Sequence, residues 1–350
     1  MKFICIATCL ILLVACQEKA PVLHVPTEQH AFALAIHGGA GALRKGEYSP
    51  DEEALFHAKL KEAAELGYTM LSRGDSATDV VVAVISLLED APIFNAGKGS
   101  VISADGKIRM DASIMHGGTL DAGSVTNVQH LRNPITAARA IMDNSKYIML
   151  SGEGAETFAK KYNIPITEPA YFYTPHQVER WKKLKTAEEK PYIKYVDSLL
   201  GDQDAVTSLL PVENAFGTVG CVVKDAYGNL AAGTSTGGLM NKQFDRIGDS
   251  PIIGAGTYAN NHTCAVSCTG TGEDFIKTVA AKSISDLMEF GHMSIEDATY
   301  TLIHEQFKRI KGDGGLVAVD HQGNISCQYN SDGMFRAFVY DSGEIITAIY

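Results

Sequence analysis

Phe216-Gly217-Thr218-Val219-Gly220 is followed, after one short hairpin, by Gly233-Thr234-Ser235-Thr236-Gly237-Gly238. Taken alone, the first stretch reads as a glycine turn entering a strand, because Val219, Cys221, Val222 and Val223 form a short apolar run. The upstream chain changes its meaning. From Trp181 to Asn214 the sequence is polar and charge-rich, without sustained periodicity, and reads as a loop or loose end. A long irregular segment inside a compact chain is usually functional or disordered. A cut between Gly217 and Thr218 would make that passage a free C-terminal tail and give Thr218 an amino group. An α-amino group titrates near about 8, so at neutral pH a fraction of it can take the proton from the same residue's hydroxyl. Gly217 suits the cut, since a residue without Cβ tolerates the strained backbone that exposes a scissile carbonyl.

Further motifs surround this junction. Downstream lie Asn229 to Gly238, Arg246-Ile247-Gly248-Asp249-Ser250-Pro251 continuing to Gly256, and Val266 to Glu273. Upstream lie His37-Gly38-Gly39-Ala40-Gly41, Phe94 to Gly97, Met110 to Ser113 and His130 to Pro134. Together, and in this order, they resemble the isoaspartyl peptidase or plant-type L-asparaginase family of N-terminal nucleophile hydrolases, from about residue 32 to the C-terminus.

The resemblance implies an α+β fold, the four-layer αββα sandwich, cut into an alpha subunit (31–217) and a beta subunit (218–350). It implies Thr218 as nucleophile, Thr236 as the hydroxyl that bonds and tunes it, and Thr269 Oγ with the Gly270 N–H as oxyanion donors. That last role suits the glycine-rich start of a helix, whose unpaired N–H groups favour negative charge. Arg246 and Asp249 match the residues that clamp a substrate's α-carboxylate and α-ammonium, with Thr269, Gly270 and Gly272 beside them. An ordinary surface salt bridge is the competing reading of Arg246 and Asp249. A sodium ion would be held by main-chain carbonyls of Leu88, Glu89, Ala91, Phe94, Ala96 and Lys98, which leaves no side-chain signature. Asn95 lies in a motif that contributes to the site region in some relatives. Phe216 departs from the family's His or polar residue at that place, which bears on the rate of processing and not on its position. Relatives assemble as dimers of cleaved αβ units. The substrates implied are β-aspartyl dipeptides and L-asparagine.

The chain's start sets a compartment. Lys2 precedes an apolar run from Phe3 to Ala15, too short to span a bilayer and shaped like the core of a signal peptide. It ends Leu13-Val14-Ala15-Cys16, similar to a bacterial lipobox, which makes 1–16 a lipoprotein-type signal peptide, Cys16 a lipidated N-terminus and 17–30 a tether. The expected location is the periplasmic side of the cell envelope, with the membrane reached only through the lipid. An ordinary signal peptide cut a few residues later is the alternative.

Composition bounds the rest. The 350 residues, 45% of them hydrophobic, suffice for a large core, and a net charge of −11 without a basic stripe excludes nucleic acid as a partner. Cys221, Cys264, Cys268 and Cys327 remain after the export segment, and neither a disulfide framework nor a zinc site follows from them.

Patterning predicts a strand from Ala31 to Ile36 delivering His37 to Gly41 to a loop. Helices are expected over Pro50 to Ser72, from Ser76 to before Pro92, from Asn133 to Met142, from Glu153 to Tyr162, from Glu273 to Phe290 and from Ser294 to Ile310. Strands are expected over Lys107–Met115, Gly123–Val128, Tyr147–Leu150, Thr218–Lys224, Asn229–Thr236, Cys264–Cys268, Gly315–Asp320, Asn324–Gln328, Arg336–Tyr340 and Glu344–Ile349. Two rival functions stand beside the hydrolase: a glycosylasparaginase, which shares Gly-Thr-Ser-Thr and Arg-Ile-Gly-Asp-Ser-Pro, and a non-catalytic lipoprotein that binds a ligand.

Overall fold

The computed structural model describes residues 30–186, 189–200 and 217–350. The first half runs β1 (Ala33–Gly41), α1 (Pro50–Ser72), α2 (Ala77–Glu89), β2 (Met110–His116), β3 (Ala122–Val128), α3 (Pro134–Asn144), β4 (Met149–Ser151), α4 (Gly152–Lys161), α5 (Pro175–Lys183) and α6 (Lys190–Leu200). The second half runs β5 (Val219–Lys224), β6 (Leu230–Thr236), β7 (Thr257–Ala259), β8 (Cys264–Gly270), α7 (Gly272–Thr278) and α8 (Ala280–Glu289). It ends with α9 (Ile295–Tyr300), α10 (Phe307–Ile310), β9 (Gly314–Asp320), β10 (Ile325–Tyr329), β11 (Gly333–Tyr340) and β12 (Ile345–Ala348).

Two sheets result, ordered β12-β11-β1-β5-β6-β2-β3-β4 and β10-β9-β8-β7. Every pairing is antiparallel except β3 with β4. Alternation along the central strands explains the stacking, because successive side chains of a strand point to opposite faces. Leu34 and Ile36 of β1, with Val219, Cys221 and Val223 of β5, join a cluster containing Phe56 and Leu60 of α1 and Val80 and Val84 of α2. Ala33 and Ala35, with Val222 of β5 and Ala232 of β6, join a different cluster with Val266 and Cys268 of β8 and Val317 of β9. The larger sheet therefore buries one face under α1 and α2 and the other against the smaller sheet. Ala280, Ala281 and Ile284 of α8 and Ala298 of α9 also pack into that second cluster.

Helix α1 starts where Ser49 and Glu52 exchange hydrogen bonds: the Glu52 N–H donates to Ser49 Oγ and the Ser49 N–H to Glu52 Oε2. This reciprocal cap satisfies two otherwise orphaned donors. Phe56 stacks on Phe335 with centroids 4.2 Å apart, and Phe94 packs on both. The loop after α2 is thereby pinned next to β1, close enough that a Cβ on Gly38 would lie 2.5 Å from Phe94 Cε1.

Several expectations are corrected. His37 to Gly41 is strand, not loop: β1 continues through it with a register shift between His37 and Gly39 and φ of +114° at Gly39. The passage from Trp181 is helical in part. Trp181 is a buried residue of α5, and α6 turns Ile193, Val196, Leu199 and Leu200 toward one cluster at helical spacing, a signal masked by the interleaved charges. Residues 201–214 and Phe216 lie outside the described residues, as do 1–29 with Cys16. The helix expected over Glu273 to Phe290 breaks at Val279, which has φ of +47°. The one expected to Ile310 widens to π geometry over Thr301–Gln306. Strand β7, three residues long, carries too little pattern to have been anticipated. Among the described residues no helix is long and apolar enough to cross a membrane.

Candidate active site

The hairpin β5–β6 brings the two threonine stretches together. Val219 pairs with Ser235, so Thr218, one residue before β5, faces Thr236, the last residue of β6. The Thr218 hydroxyl donates to Thr236 Oγ1 at 2.9 Å, and the Gly238 N–H donates to the same oxygen at 2.9 Å. Two donors on Thr236 Oγ1 hold that oxygen still. Both threonines are β-branched, which restricts χ1 and keeps the pair aligned.

Strand β8 supplies the opposite wall. Thr269 is buried, its Oγ1 accepts the Ala40 N–H at 3.2 Å, and a Cβ on Gly217 would lie 3.0 Å from it. Gly270 follows with φ of +144°, and a Cβ there would meet Asp313 O at 2.6 Å. Two glycine backbones touch on the other side, since a Cβ on Gly39 would overlap Gly217 Cα. A cavity of about 260 Å³ opens over this junction, lined by Gly217, Thr218, Asn95, Gly238, Gly270 and Thr271 among others. Arg180 of α5 also lines it, a cation that no motif in the sequence pointed to.

Arg246 and Asp249 form a second group beside the first rather than part of its lining. Gly272 joins them: a Cβ there would come within 2.8 Å of Arg246 Nη2 and 2.9 Å of Asp249 Oδ1. Arg246 donates through Nε and Nη2 to the two carboxylate oxygens of Glu273, at 2.9 and 2.6 Å. This fork fixes the plane of the guanidinium, and it holds the Glu273 carboxyl below its usual range. Asp249 is buried and its Oδ2 has no hydrogen-bond partner among the described residues. Burial pushes its carboxyl up to about 7, against the pull of Arg246. An unpartnered buried acceptor invites a cationic donor from outside. In the sequence Glu273 marks only a helix start, since its bond to Arg246 spans the β7–β8 hairpin.

Asn95 ties the loop after α2 to this site. Its Nδ2 donates to Gly238 O at 2.8 Å, its Oδ1 accepts the Val101 N–H, and its carbonyl accepts the Gly237 N–H. The same loop folds over its own carbonyls: a Cβ on Gly97 would overlap Glu89 O, and one on Gly99 would overlap Phe94 O. Crowded main-chain oxygens are a donor set that suits a hard cation. Among the described residues there is no group of three or more His, Cys, Asp or Glu side chains suited to a metal. Glu89 points its side chain away from that role, accepting Ser235 Oγ at 2.6 Å and the Ile135 N–H at 3.1 Å.

His37 reaches the site from β1. It is fully buried, with Nδ1 3.0 Å from Thr218 O and Nε2 2.9 Å from Ser267 Oγ. The structure thus brings Gly217, Thr218, Thr236, Thr269 and Gly270 into one cluster. It sets Arg246, Asp249 and Gly272 next to that cluster, and makes Asn95 a support for both the loop and the Gly237–Gly238 turn.

Comparison with known proteins gives the family. The family model described as Asparaginase matches residues 30–349. An isoaspartyl peptidase of Salmonella typhimurium is 45% identical over 317 residues, covering 91% of this chain and 98% of that protein. An isoaspartyl peptidase of Escherichia coli is 42% identical, covering 91% and 95%. A plant-type L-asparaginase of Pyrococcus horikoshii is 40% identical, covering 89% and 97%. The chain belongs to the Asparaginase family.

Proposed function

We propose that the protein is an autoprocessed threonine hydrolase that cleaves β-aspartyl dipeptides and L-asparagine. The observation that carries this is the Thr218 hydroxyl, 2.9 Å from Thr236 Oγ1 and directly after a glycine that packs against Thr269 and Gly39.

In the first reaction the Thr218 hydroxyl attacks the Gly217 carbonyl, and hydrolysis of the resulting ester separates residues 31–217 from 218–350. The freed amine of Thr218 is then the general base for its own hydroxyl. That hydroxyl attacks the side-chain carbonyl of the aspartyl substrate, the amine passes the proton to the departing nitrogen, and water releases the acyl group. Thr269 Oγ1 and the Gly270 N–H are the donors assigned to the oxyanion. The unpartnered Asp249 oxygen takes the substrate's α-ammonium, and Arg246, its plane set by Glu273, takes the α-carboxylate.

The packing of α1 and α2 on the larger sheet, of the sheets on each other, and of α8 and α9 on the smaller one supports the four-layer αββα reading. Sodium held by carbonyls of Leu88, Glu89, Ala91, Phe94, Ala96 and Lys98 would brace the loop that carries Asn95; the folded-over carbonyls support this. The assembly is read as a dimer of αβ units by family likeness. Cys16 is the proposed lipid anchor and the periplasmic face of the envelope the proposed location, on the strength of Leu13-Val14-Ala15-Cys16.

Four outcomes are expected. Mass spectrometry of the purified protein should give two fragments, the smaller beginning Thr-Val-Gly-Cys, and Thr218→Ala should remain one inactive chain; an active uncut protein sinks the nucleophile assignment. Because the free enzyme holds Asp249 protonated below about pH 7, and only the carboxylate attracts an ammonium, KM should rise with acid by up to about tenfold per pH unit while kcat lacks that limb. The substrate-bound carboxylate stays ionised, so Asp249→Asn should show a high KM independent of pH from 5 to 8; a native KM profile in that variant refutes the role. Replacing sodium with a bulky organic cation should lower the melting temperature by several degrees, and an unchanged melting temperature counts against a sodium site. Cys16→Ser should move the protein from the membrane to the soluble fraction with catalysis intact, whereas continued membrane association argues against lipidation.

A further inference from the structure

A row of polar side chains crosses the apolar interface between the two sheets. His37 on β1, Gly220 on β5, Thr234 on β6 and Ser113 on β2 are lateral neighbours in register. Ser267 on β8 and Thr257 on β7 are neighbours on the facing sheet. The five side chains are fully buried. Gly220 creates the row by lacking one, since a Cβ there would overlap Ser267 Oγ and His37 Nε2. Ser267 enters that gap from the opposite sheet, and the hydrogen bonds then zigzag between the sheets. His37 Nε2 meets Ser267 Oγ at 2.9 Å, Ser267 meets Thr234 at 2.7 Å, Thr234 meets Thr257 at 2.6 Å, and Thr257 meets Ser113 at 2.8 Å.

Both ends reach the active site. His37 Nδ1 lies 3.0 Å from Thr218 O, and Ser113 Oγ donates at 2.6 Å to Ser250 O, the residue after Asp249. The direction of the chain follows from elementary donor counting. Thr218 O has no hydrogen to give, so Nδ1–H donates to it. Burial keeps the ring neutral, with its pKa pushed down to about 3, so Nε2 is an acceptor and Ser267 donates to it. Each hydroxyl carries one hydrogen. Ser267 therefore accepts from Thr234, and Thr234 accepts from Thr257. The one Ser113 hydrogen is shared between Thr257 Oγ1 and Ser250 O, and the carbonyls of Gly256 and Ser250 stand as longer second acceptors, at 3.3 Å, for Thr234 and Thr257. Buried bonds aligned in one sense polarise one another and are rigid as a set.

We propose that Ser267, Thr234, Thr257 and Ser113 are positioning residues that, through His37, couple the orientation of Thr218 to the Asp249–Ser250 turn. The proposal rests on the reading of Thr218 as nucleophile. After cleavage Thr218 is a chain end with no residue before it, so rotation about its Cα–C bond is restrained by the bond to its own carbonyl. That rotation moves Oγ relative to Thr236. The carbonyl lies on the Val219 side of the residue, so the cut at Gly217–Thr218 breaks no bond of the relay.

The test uses purified, cleaved enzyme, with kcat referred to the cleaved fraction. Thr234→Val keeps the shape and removes the hydroxyl at the middle of the relay; kcat should fall about tenfold or more, and Thr234→Ser should return it to within about twofold. Ser113→Ala should lower kcat in the native background but not further in Thr234→Val, because the connection is already broken. Thr257→Val interrupts the same path from the other sheet and takes the place of Thr234→Val if that variant does not fold. A native kcat in the valine variant, or losses that multiply independently with Ser113→Ala, overturns the relay. Thr218→Ala, assayed as the uncut chain and referred to total protein, separates the two ideas: if it is inactive while Thr234→Val is native, only the relay fails, and if it is active the nucleophile reading falls first.

Discussion

The register of the β5–β6 hairpin governs the rest of the molecule. Val219 opposite Ser235 sets Thr218 against Thr236 and Gly220 against both His37 and Thr234. A slip of one residue would exchange the faces of the strand, sending Val219, Cys221 and Val223 into the interface between sheets and Val222 under α1 and α2. Both clusters would then be mispacked, so the apolar alternation that builds the core also holds the hydroxyls in place. Catalytic geometry and core packing are one constraint here.

The site depends on buried polarity that the fold arranges in two different ways. Between the sheets every hydroxyl finds a partner, as a dry interface requires. At Asp249 the opposite holds, with an oxygen left without a partner among the described residues and the carboxyl pushed up by burial. Arg246 is already engaged by Glu273 through one edge, which orients the guanidinium before any ligand arrives. A satisfied framework beside an unsatisfied acceptor makes a rigid site that favours a cationic group at Asp249.

Glycines mark the places where two backbones or a backbone and a side chain must come closest. Gly39 meets Gly217, Gly220 admits Ser267, and Gly272 leaves room between Arg246 and Asp249. Each sits in a motif that the sequence displayed as a run of small residues, but the object on the other side of the gap lies far away along the chain.

Much of this was legible in the sequence. The Ser49–Glu52 cap, the alternation of β1 and β5, and the Gly217–Thr218 junction are local signals, because caps, period-two faces and turns act over a few residues. The motif order carried the family and named Thr218, Thr236, Thr269, Gly270, Arg246 and Asp249. What local pattern could not carry was long-range pairing. His37 acquires its contact with Thr218 because β1 and β5 are adjacent, Arg180 reaches the cavity from α5, and Glu273 meets Arg246 across a hairpin. The extension of β1 through His37–Gly41 and the break at Val279 were likewise set by neighbours rather than propensity. The sequence by itself determined which residues could do chemistry and which faces would be buried. Only the tertiary structure decided which of them meet, since hydrogen bonds over 2.6 to 3.0 Å between residues far apart in the chain depend on sheet order and register, and neither is encoded in any single stretch.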